Sequence, residues 1–565
     1  MKKLLSVILC LSLLLSYGVM TVSAQEEKLT INVATDLHLD QESFGDLSAE
    51  GGETAEGFDH VAKSGHLYRE SKAIITAFLE KAAKDDSKAL LVAGDLTDTG
   101  LESEMVALAE MFRIFENQTG KQIYVVPGNH DVTKNPASKF AEIFAEFGYN
   151  EAIAKDSNST SYVADLPDDY RLIAIDSTGY KQGGACIDSA RLEWIRQQAE
   201  KAQQDGKKAV AMLHHNILPH LVLIDIVHPT AVVDKSLGLK DMFAKYGVKY
   251  IFTGHSHEND IASYTSENGE VIYDIETGSM CLYPCVYRTV SLGDKVEIRT
   301  ERIEEIALDV VPKAGLSAEA LDLMKNDFTE YTKRCAYIGI ETTLNTTFLK
   351  ADFIKELIKV DSESDPEMNA LIERLIPKLK TAINMPFYTA DEINAGESIE
   401  SVLKAYNVTI PKTEYNNLAN LAVAIYQEHV AGDENMPLYS NEVVLASKGI
   451  GAALAYTLSD VSATEYAQVL GFVCEFAGVE FSADLLGLAG DKLKRFEGIE
   501  LIVSTAILPL ILKVTVDEAP GDGNVTLPGY AQLIEPPAAE KTFWEKVQDF
   551  FIKFFSFVMS IFAFI

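Results

Sequence analysis

The sequence predicts a layered α/β domain followed by a mainly α-helical one, and three observations carry that prediction. From Lys28 to about Ile303, short β-branched runs alternate with amphipathic stretches, the signature of helices packed on a sheet. Beyond Pro312 the pattern turns to helical periodicity with capping residues. At 565 residues the chain also exceeds what one hydrophobic core serves, so at least two domains are expected.

The strands read from the apolar runs are Leu29 to Ala34, Ala89 to Ala93, Gln122 to Val126, Leu172 to Ile175, Ala209 to Leu213 and Lys249 to Phe252. Between them, Tyr68 to Ala83 gathers Ile74, Ile75, Phe78, Leu79 and Ala82 on one helical face. Ser189 to Ala202 does the same with Leu192, Ile195 and Ala199. After Thr253 the runs Val271 to Ile275, Val286 to Ser291 and Lys295 to Arg299 follow without helices between them, which predicts an antiparallel continuation of the sheet. In the second half, Ser317 is a candidate N-cap, and Thr389 to Glu392 and Ser462 to Glu465 have capping-box spacing. The expected organisation is a leader at 1–24, an α/β domain at 25–310, a mainly helical domain at 311–516, a linker rich in Gly, Pro and acid beginning the segment 517–540, and an apolar, amphipathic helix at 541–565.

The leader expectation rests on Met1-Lys2-Lys3, the apolar run Leu4 to Leu15 and the small residues of Val22-Ser23-Ala24, which fit a signal-peptidase site; a buried first helix is the other reading. Export follows as an expectation, to an extracellular or cell-surface location. At the far end, Phe543, Trp544, Val547, Phe550 and Phe551 crowd one helical-length stretch, and the uncharged run after Lys553 lasts 12 residues. That is short of the roughly 20 needed to span a bilayer. An interfacial membrane helix and a helix docked on the protein's own core both fit it. Past the leader, Cys186, Cys281, Cys285, Cys335 and Cys474 are odd in number and give no disulfide framework; Cys281 and Cys285 are spaced to pair or to remain buried thiols. The excess of 84 acidic over 49 basic residues, a formal charge of -35, repels polyanions and argues against nucleic-acid partners.

Five short motifs fall at the C-terminal ends of these strands, the edge where open α/β sheets bind ligands. They are Asp36-Leu37-His38, Gly94-Asp95-Leu96-Thr97-Asp98, Gly128-Asn129-His130-Asp131, His214-His215 and Gly254-His255-Ser256-His257. Each alone reads as readily as a turn or a satisfied polar residue. Together they hold six of the 11 histidines, and that concentration points to metal. A carboxylate such as Asp95 has two oxygens with which to bridge two cations, while imidazoles and an amide oxygen complete shells suited to Fe, Mn, Zn or Co rather than to Mg or Ca alone. Gly94, Gly128 and Gly254 sit where the backbone must turn sharply beside the ligands.

The order D-x-H, GDLTD, GNHD, HH and GHxH resembles the calcineurin-like metallophosphoesterase superfamily, and GDLTD with GNHD is most similar to its cyclic-nucleotide phosphodiesterase-like branch. The resemblance covers residues 28 to about 300 and implies a β-sandwich flanked by helices. It implies a first metal held by Asp36, His38, Asp95 and His257, and a second held by Asp95, Asn129, His214 and His255. It further implies that His130 faces substrate, stabilising the transition state or protonating the leaving oxygen. Asp98 would hydrogen-bond that imidazole; the alternative role is a turn or cap before a helix near Gly100. One departure is local: Asn216 and Ile217 follow His214-His215 where the branch commonly has prolines, so the shape of that loop stands open.

The expected activity is hydrolysis of phosphate esters, phosphodiesters before monoesters, by water activated between two metals about 3.5 to 4 Å apart. The expected substrate is a small-molecule or cell-envelope phosphate ester. A phosphomonoesterase or nucleotidase on the same site is the nearer alternative, and a surface-attached binding protein with a non-catalytic metal domain the farther one. The acidic, Gly-rich stretch from Leu39 to Leu67 should border the site, where His60, His66 and Arg69 read as solvated loop residues or as phosphate contacts.

Overall fold

The structure is a computed structural model that describes residues 28–40, 65–220, 230–233, 235–313, 316–357, 366–389, 397–432, 434–476, 492–517 and 519–530. The expected leader at 1–24, the apolar tail at 541–565, His60 and the box ending at Glu392 lie outside the described residues.

One sheet holds β1 (Leu29–Ala34), β2 (Ala89–Val92), β3 (Gln122–Val125), β11 (Val286–Leu292), β12 (Lys295–Arg302) and β13 (Val525–Pro528), in the order β13-β12-β11-β1-β2-β3. The other holds β4 (Ala154–Lys155), β5 (Tyr162–Asp165), β6 (Tyr170–Ala174), β7 (Lys208–Met212), β8 (Tyr250–Thr253), β9 (Ile261–Thr265) and β10 (Val271–Glu276), in the order β4-β5-β6-β7-β8-β10-β9. Register decides where the loops emerge. Ala34 pairs with Val92 and Val92 with Val125, so three parallel strands end level in the first sheet. Ala174 pairs with Met212 and Met212 with Phe252, so three end level in the second.

Alternation along the strands then divides the cores. Leu172, Val210, Met212, Tyr250 and Phe252 point inward to the core that also contains Ile31, Val33 and Leu91 of the facing sheet. Ile173, Ala211 and Ile251 point outward and are covered by Ile195 and Ala199 of the helix Ser189–Gln204 and by Phe243 of Leu239–Tyr246. The helix Ser71–Lys84 buries Ile74, Ile75, Phe78, Leu79 and Ala82, the face its periodicity predicts. Burial of a side chain such as Phe78 contributes about 2 to 3 kcal/mol.

Two expectations are corrected here. The strands after Thr253 do not simply continue one sheet: β10 runs parallel to β8, with β9 returning outside it, while β11 and β12 cross to pair antiparallel with β1 and with each other. The segment 517–540 is not merely a linker, because β13 adds an antiparallel edge strand to β12 through Lys295–Pro528 to Ile298–Val525.

The second half is helical, and helices from Pro366–Ile383 onward build their own core around Leu371, Leu375, Leu421, Leu445 and Phe496. The helices Ala318–Asn326 and Phe328–Thr343 belong elsewhere: Ala320, Met324, Phe328, Tyr331 and Cys335 close the first core. The packing boundary therefore falls after Cys335 rather than at 310. Ser317 caps its helix by accepting from the Ala320 N–H at 3.0 Å, and Ser462 and Glu465 form the reciprocal box. Cys281 and Cys285 are buried free thiols, pushed up from their ordinary pKa by burial. Among the described residues no helix is long and apolar enough to cross a membrane.

Candidate metal centre

The two level sheet edges bring Asp36, His38, Asp95, Asn129, His214, His255 and His257 to one place. Their loops are laced together by the backbone: Asp36 donates to Gly94 and His38 to Asp95, each at 3.0 Å, and Gly254 donates to His214 at 3.0 Å. The conformation is costly. Of ten non-glycine residues at positive φ among the described residues, five are Asp36, His38, Asp95, His255 and His257. Each such residue costs of order 1 to 3 kcal/mol, so the surrounding fold over-determines this geometry, as it does at functional sites.

Asp36, Asp95 and His214 each present one atom inward and anchor the other. Asp36 Oδ2 accepts from Thr35 Oγ1 at 2.7 Å and from the His255 N–H at 3.1 Å. That leaves Oδ1, buried and without a hydrogen bond, 3.2 Å from His257 Nε2 and 3.7 Å from His38 Nε2. The two imidazole Nε2 atoms are themselves 3.4 Å apart. Asp95 Oδ1 accepts the His130 N–H at 2.8 Å, while Oδ2 faces His214 Nε2 at 3.2 Å and His38 Nε2 at 4.0 Å. His214 is held by Nδ1, 2.9 Å from the Ala93 carbonyl, which frees Nε2 toward Asn129 Oδ1 at 3.1 Å. His255 joins Asp95 and His214 in a set whose donor atoms all lie within 4.8 Å of one another.

These spacings fit cations. Donors about 2.0 to 2.2 Å from one ion, at angles of 90 to 110°, stand about 3 to 3.5 Å from each other. Asp36, His38 and His257 lie at or near that spacing, at 3.2, 3.4 and 3.7 Å, as Asn129 and His214 do at 3.1 Å, and Asp95 Oδ2 is 3.2 Å from His214 Nε2 and 4.0 Å from His38 Nε2. The glycines make the same case by exclusion. A Cβ on Gly128 would fall 2.1 Å from Asp95 Oδ1, and one on Gly254 would fall 2.4 Å from Asp36 Oδ2.

Electrostatics in the protein without cations shows what such ions would replace. Burial alone would raise Asp36, yet His257 and His38 hold its carboxyl well below the usual range. Burial would lower His214, but Asp95 outweighs it and lifts the imidazole to about 9. His255, buried beside His214, is pushed down to about 3. The site holds its carboxylates ionised by keeping protons on imidazoles, and a cation entering it would release those protons.

His130 and Asp98 flank this set, with a changed geometry. His130 Nδ1 lies 2.6 Å from the Asp98 backbone carbonyl, and the Asp98 carboxylate is farther, at 3.4 Å. That carboxylate stands closer to Nδ1 of His38, at 3.2 Å. Asp98 therefore serves two histidines, with the main chain orienting His130 and the side chain shared. The capping role does not fall to it, since Glu104 accepts the Leu101 N–H at the start of the helix Glu102–Thr119. Burial lowers His130, but Asp98 and the charge on Asp95 raise it overall above the ordinary histidine value.

The loop after β7 explains its missing prolines. The Ile217 and Leu218 N–H groups donate to Asp274 Oδ2 at 2.7 and 2.8 Å, and Asn216 donates to Glu276 Oε2 at 3.1 Å. A proline at 217 would lack the donor that fastens this loop. His215 packs on the His214 and His255 rings at 5.0 and 4.4 Å, its Nδ1 2.8 Å from Ser177 Oγ.

The role of Asp131 escapes sequence reasoning, and those of His66 and Arg69 are misjudged by it. Asp131 is fully buried and accepts from the N–H groups of Leu96, Thr97 and Gly128 and from Thr97 Oγ1, at 2.7 to 3.1 Å, tying two motif loops together. His66 and Arg69 are not solvated loop residues: Arg69 is buried, and His66 stands against His38 and His257.

The calcineurin-like phosphoesterase family model matches residues 29–259. A probable glycerophosphodiester phosphodiesterase of Arcobacter nitrofigilis is 28% identical over 174 residues, covering 30% of this chain and 56% of that protein, so the match spans little over half the relative's length. A dimetal phosphatase from Danio rerio is 11% identical, with 48% of this chain and 96% of its own covered at a TM-score of 0.35. A purple acid phosphatase from yellow lupin (Lupinus luteus) seeds is 12% identical, with 49% and 52% covered at a TM-score of 0.32. The motif loops gathered at one edge of the two facing sheets thus lie in the part of the chain that is similar to the calcineurin-like phosphoesterase family, residues 29–259.

Proposed function

We propose that this protein is a dinuclear-metal-dependent hydrolase that prefers phosphodiesters. The observation that carries the reading is Asp95, whose Oδ2 lies 3.2 Å from His214 Nε2 and 4.0 Å from His38 Nε2 while Oδ1 holds the His130 backbone. One carboxylate thus joins two nitrogen-rich sites and fixes the backbone of His130, an imidazole that the ligand set leaves out. In this reading Asp36, His38, Asp95 and His257 hold one cation and Asp95, Asn129, His214 and His255 the other. Two such ions neutralise charge on phosphoryl oxygens and acidify water.

The chain's own residues do the rest. His130 has Nδ1 engaged by the Asp98 carbonyl, so its other nitrogen is the one left for substrate. With its pKa raised it keeps a proton to donate to a phosphoryl oxygen or to the leaving group. Asp98 stabilises the protonated ring and steadies His38 at once. The preference for diesters is supported by the relative named as a probable glycerophosphodiester phosphodiesterase.

The test is turnover of bis-p-nitrophenyl phosphate, p-nitrophenyl phosphate, glycerophosphodiesters and cyclic nucleotides by Mn-loaded protein. The expected result is faster diester cleavage, lost in Asp95→Ala with its metal and reduced about 10²- to 10⁴-fold in His130→Ala with metal retained. Faster monoester cleavage would move the reading to a phosphomonoesterase, and no turnover across the panel would move it to a binding protein.

A further inference from the structure

We propose that His66 is an additional ligand of the first metal, completing a tripod of imidazoles with His38 and His257. The inference rests on the dinuclear reading and adds a residue that none of the five motifs contains. Three rings stand in a nearly equilateral triangle: the centroids of His38 and His257 are 5.3 Å apart, those of His38 and His66 5.5 Å, and those of His66 and His257 5.2 Å. The rings meet at steep angles of 73 to 77°, as they do when each points an edge at a common centre.

The size of the triangle fits a shared ion. An imidazole nitrogen about 2.0 to 2.1 Å from an ion puts its ring centroid about 3.2 Å away, so rings at near-tetrahedral angles stand about 5.2 Å apart. All three edges agree with that value within a few tenths of an ångström. The nitrogen atoms satisfy the same condition, since one from each of the three rings lies within 4.8 Å of the other two. His214 and His255, assigned together to the second ion, show the same relation at 5.0 Å and 73°.

His66 is built into this position. Gly65 has φ +75°, and a Cβ there would meet the Ala336 and Gly339 backbones of the helix Phe328–Thr343 at 3.3 and 3.5 Å, so that helix supports the turn from behind. The Leu67 N–H donates to the Cys281 carbonyl at 2.7 Å, and Tyr68 stacks parallel on the His66 ring at 5.1 Å. The helix Phe328–Thr343 thereby supports the metal centre through its contact with Gly65. A third imidazole makes the first site richer in nitrogen, favouring Zn, Co or Fe over Mn, and fills a position that would otherwise take water or substrate.

The experiment is titration of full-length apoprotein with Zn²⁺ against a competing chelator, together with the visible spectrum of the Co²⁺-loaded form, for wild type, His66→Ala, His66→Gln and His38→Ala. The expected result is that His66→Ala weakens one of the two ions about tenfold or more, alters the Co²⁺ bands and leaves the other ion's affinity unchanged. Wild-type affinities and spectra in a folded His66→Ala or His66→Gln protein overturn the proposal, including when only KM for substrate rises. If His66→Ala does not fold, His66→Gln decides by the same two readouts. If His38→Ala also binds both ions normally, the dinuclear reading itself fails, which separates the two claims.

Discussion

Asp98 Oδ1 stands 3.2 Å from Nδ1 of His38, on the side of the ring opposite the Nε2 that faces Asp36 and His257. A carboxylate in that position fixes ring orientation and tautomer and makes the inward nitrogen a better donor. Asp98→Ala is expected to weaken the ion at His38 about 10- to 100-fold and to lower turnover with it, as read by chelator competition. Full affinity in the variant would remove Asp98 from this role and leave it to His130 alone.

Asp131 is expected to matter for stability more than for chemistry. Its carboxylate accepts four hydrogen bonds from two loops, and Asp131→Ala leaves buried donors without partners. The cost should be about 2 to 4 kcal/mol, measured by urea unfolding of the metal-free protein. Asp131→Asn, which keeps one acceptor oxygen, should lose about half as much.

Gly128→Ala tests whether close approach of the backbone to Asp95 is required. The added carbon would meet Asp95 Oδ1 at 2.1 Å and its backbone nitrogen at 2.2 Å, so the two loops must separate. Loss of both ions from a protein with native circular dichroism is the expected outcome. Normal metal content would show that the loops can yield.

A buried acidic network that begins at Glu258, next to His257, predicts the pH dependence of stability. Burial pushes Glu258 up to about 7, and burial beside Asp260 pushes Asp522 up to about 10. An acid that keeps its proton only when folded contributes stability below its ordinary pKa and loses it as pH rises through the folded value. His429, where burial is outweighed by Glu434 at 2.8 Å, is raised and acts in the same direction, losing its contribution above its ordinary value. Asp260 is lowered and is ionised in both states above pH 5, so it adds no slope there. The Tm of chelator-treated protein should therefore fall between about pH 5 and 8, with a shallower fall in Glu258→Gln. A Tm that rises over this range in the wild type would contradict the argument.

How much of this could be read beforehand depended on how local each signal is. The strands β1, β2, β3, β7 and β8 end within a residue or so of their apolar runs, because parallel strands buried on both faces are continuous hydrophobic segments. The edge strand β9 buries only Ile261 of its five residues, and β13 follows a stretch of Gly, Pro and acid, so neither announces itself. Asp36, His38, Asp95, Asn129, His214, His255 and His257 could be proposed because each lies in a short motif directly after a strand. His66 could not, since what aims it is Ala336 and Gly339 in a distant helix. Nor could the division of Asp98 between two histidines, which depends on a backbone carbonyl rather than on residue type.

The pairing of β13 with β12 also changes what the helical half is. Its chain departs after Arg302 and comes back at Val525 beside the strand it left, so it is an insertion moored at both ends rather than an appendage on a hinge. A protease cut within it should leave the two fragments clasped through the shared sheet. Deleting everything past 310 would instead strip the outer partner from Lys295–Arg302 and expose an open strand edge to other molecules.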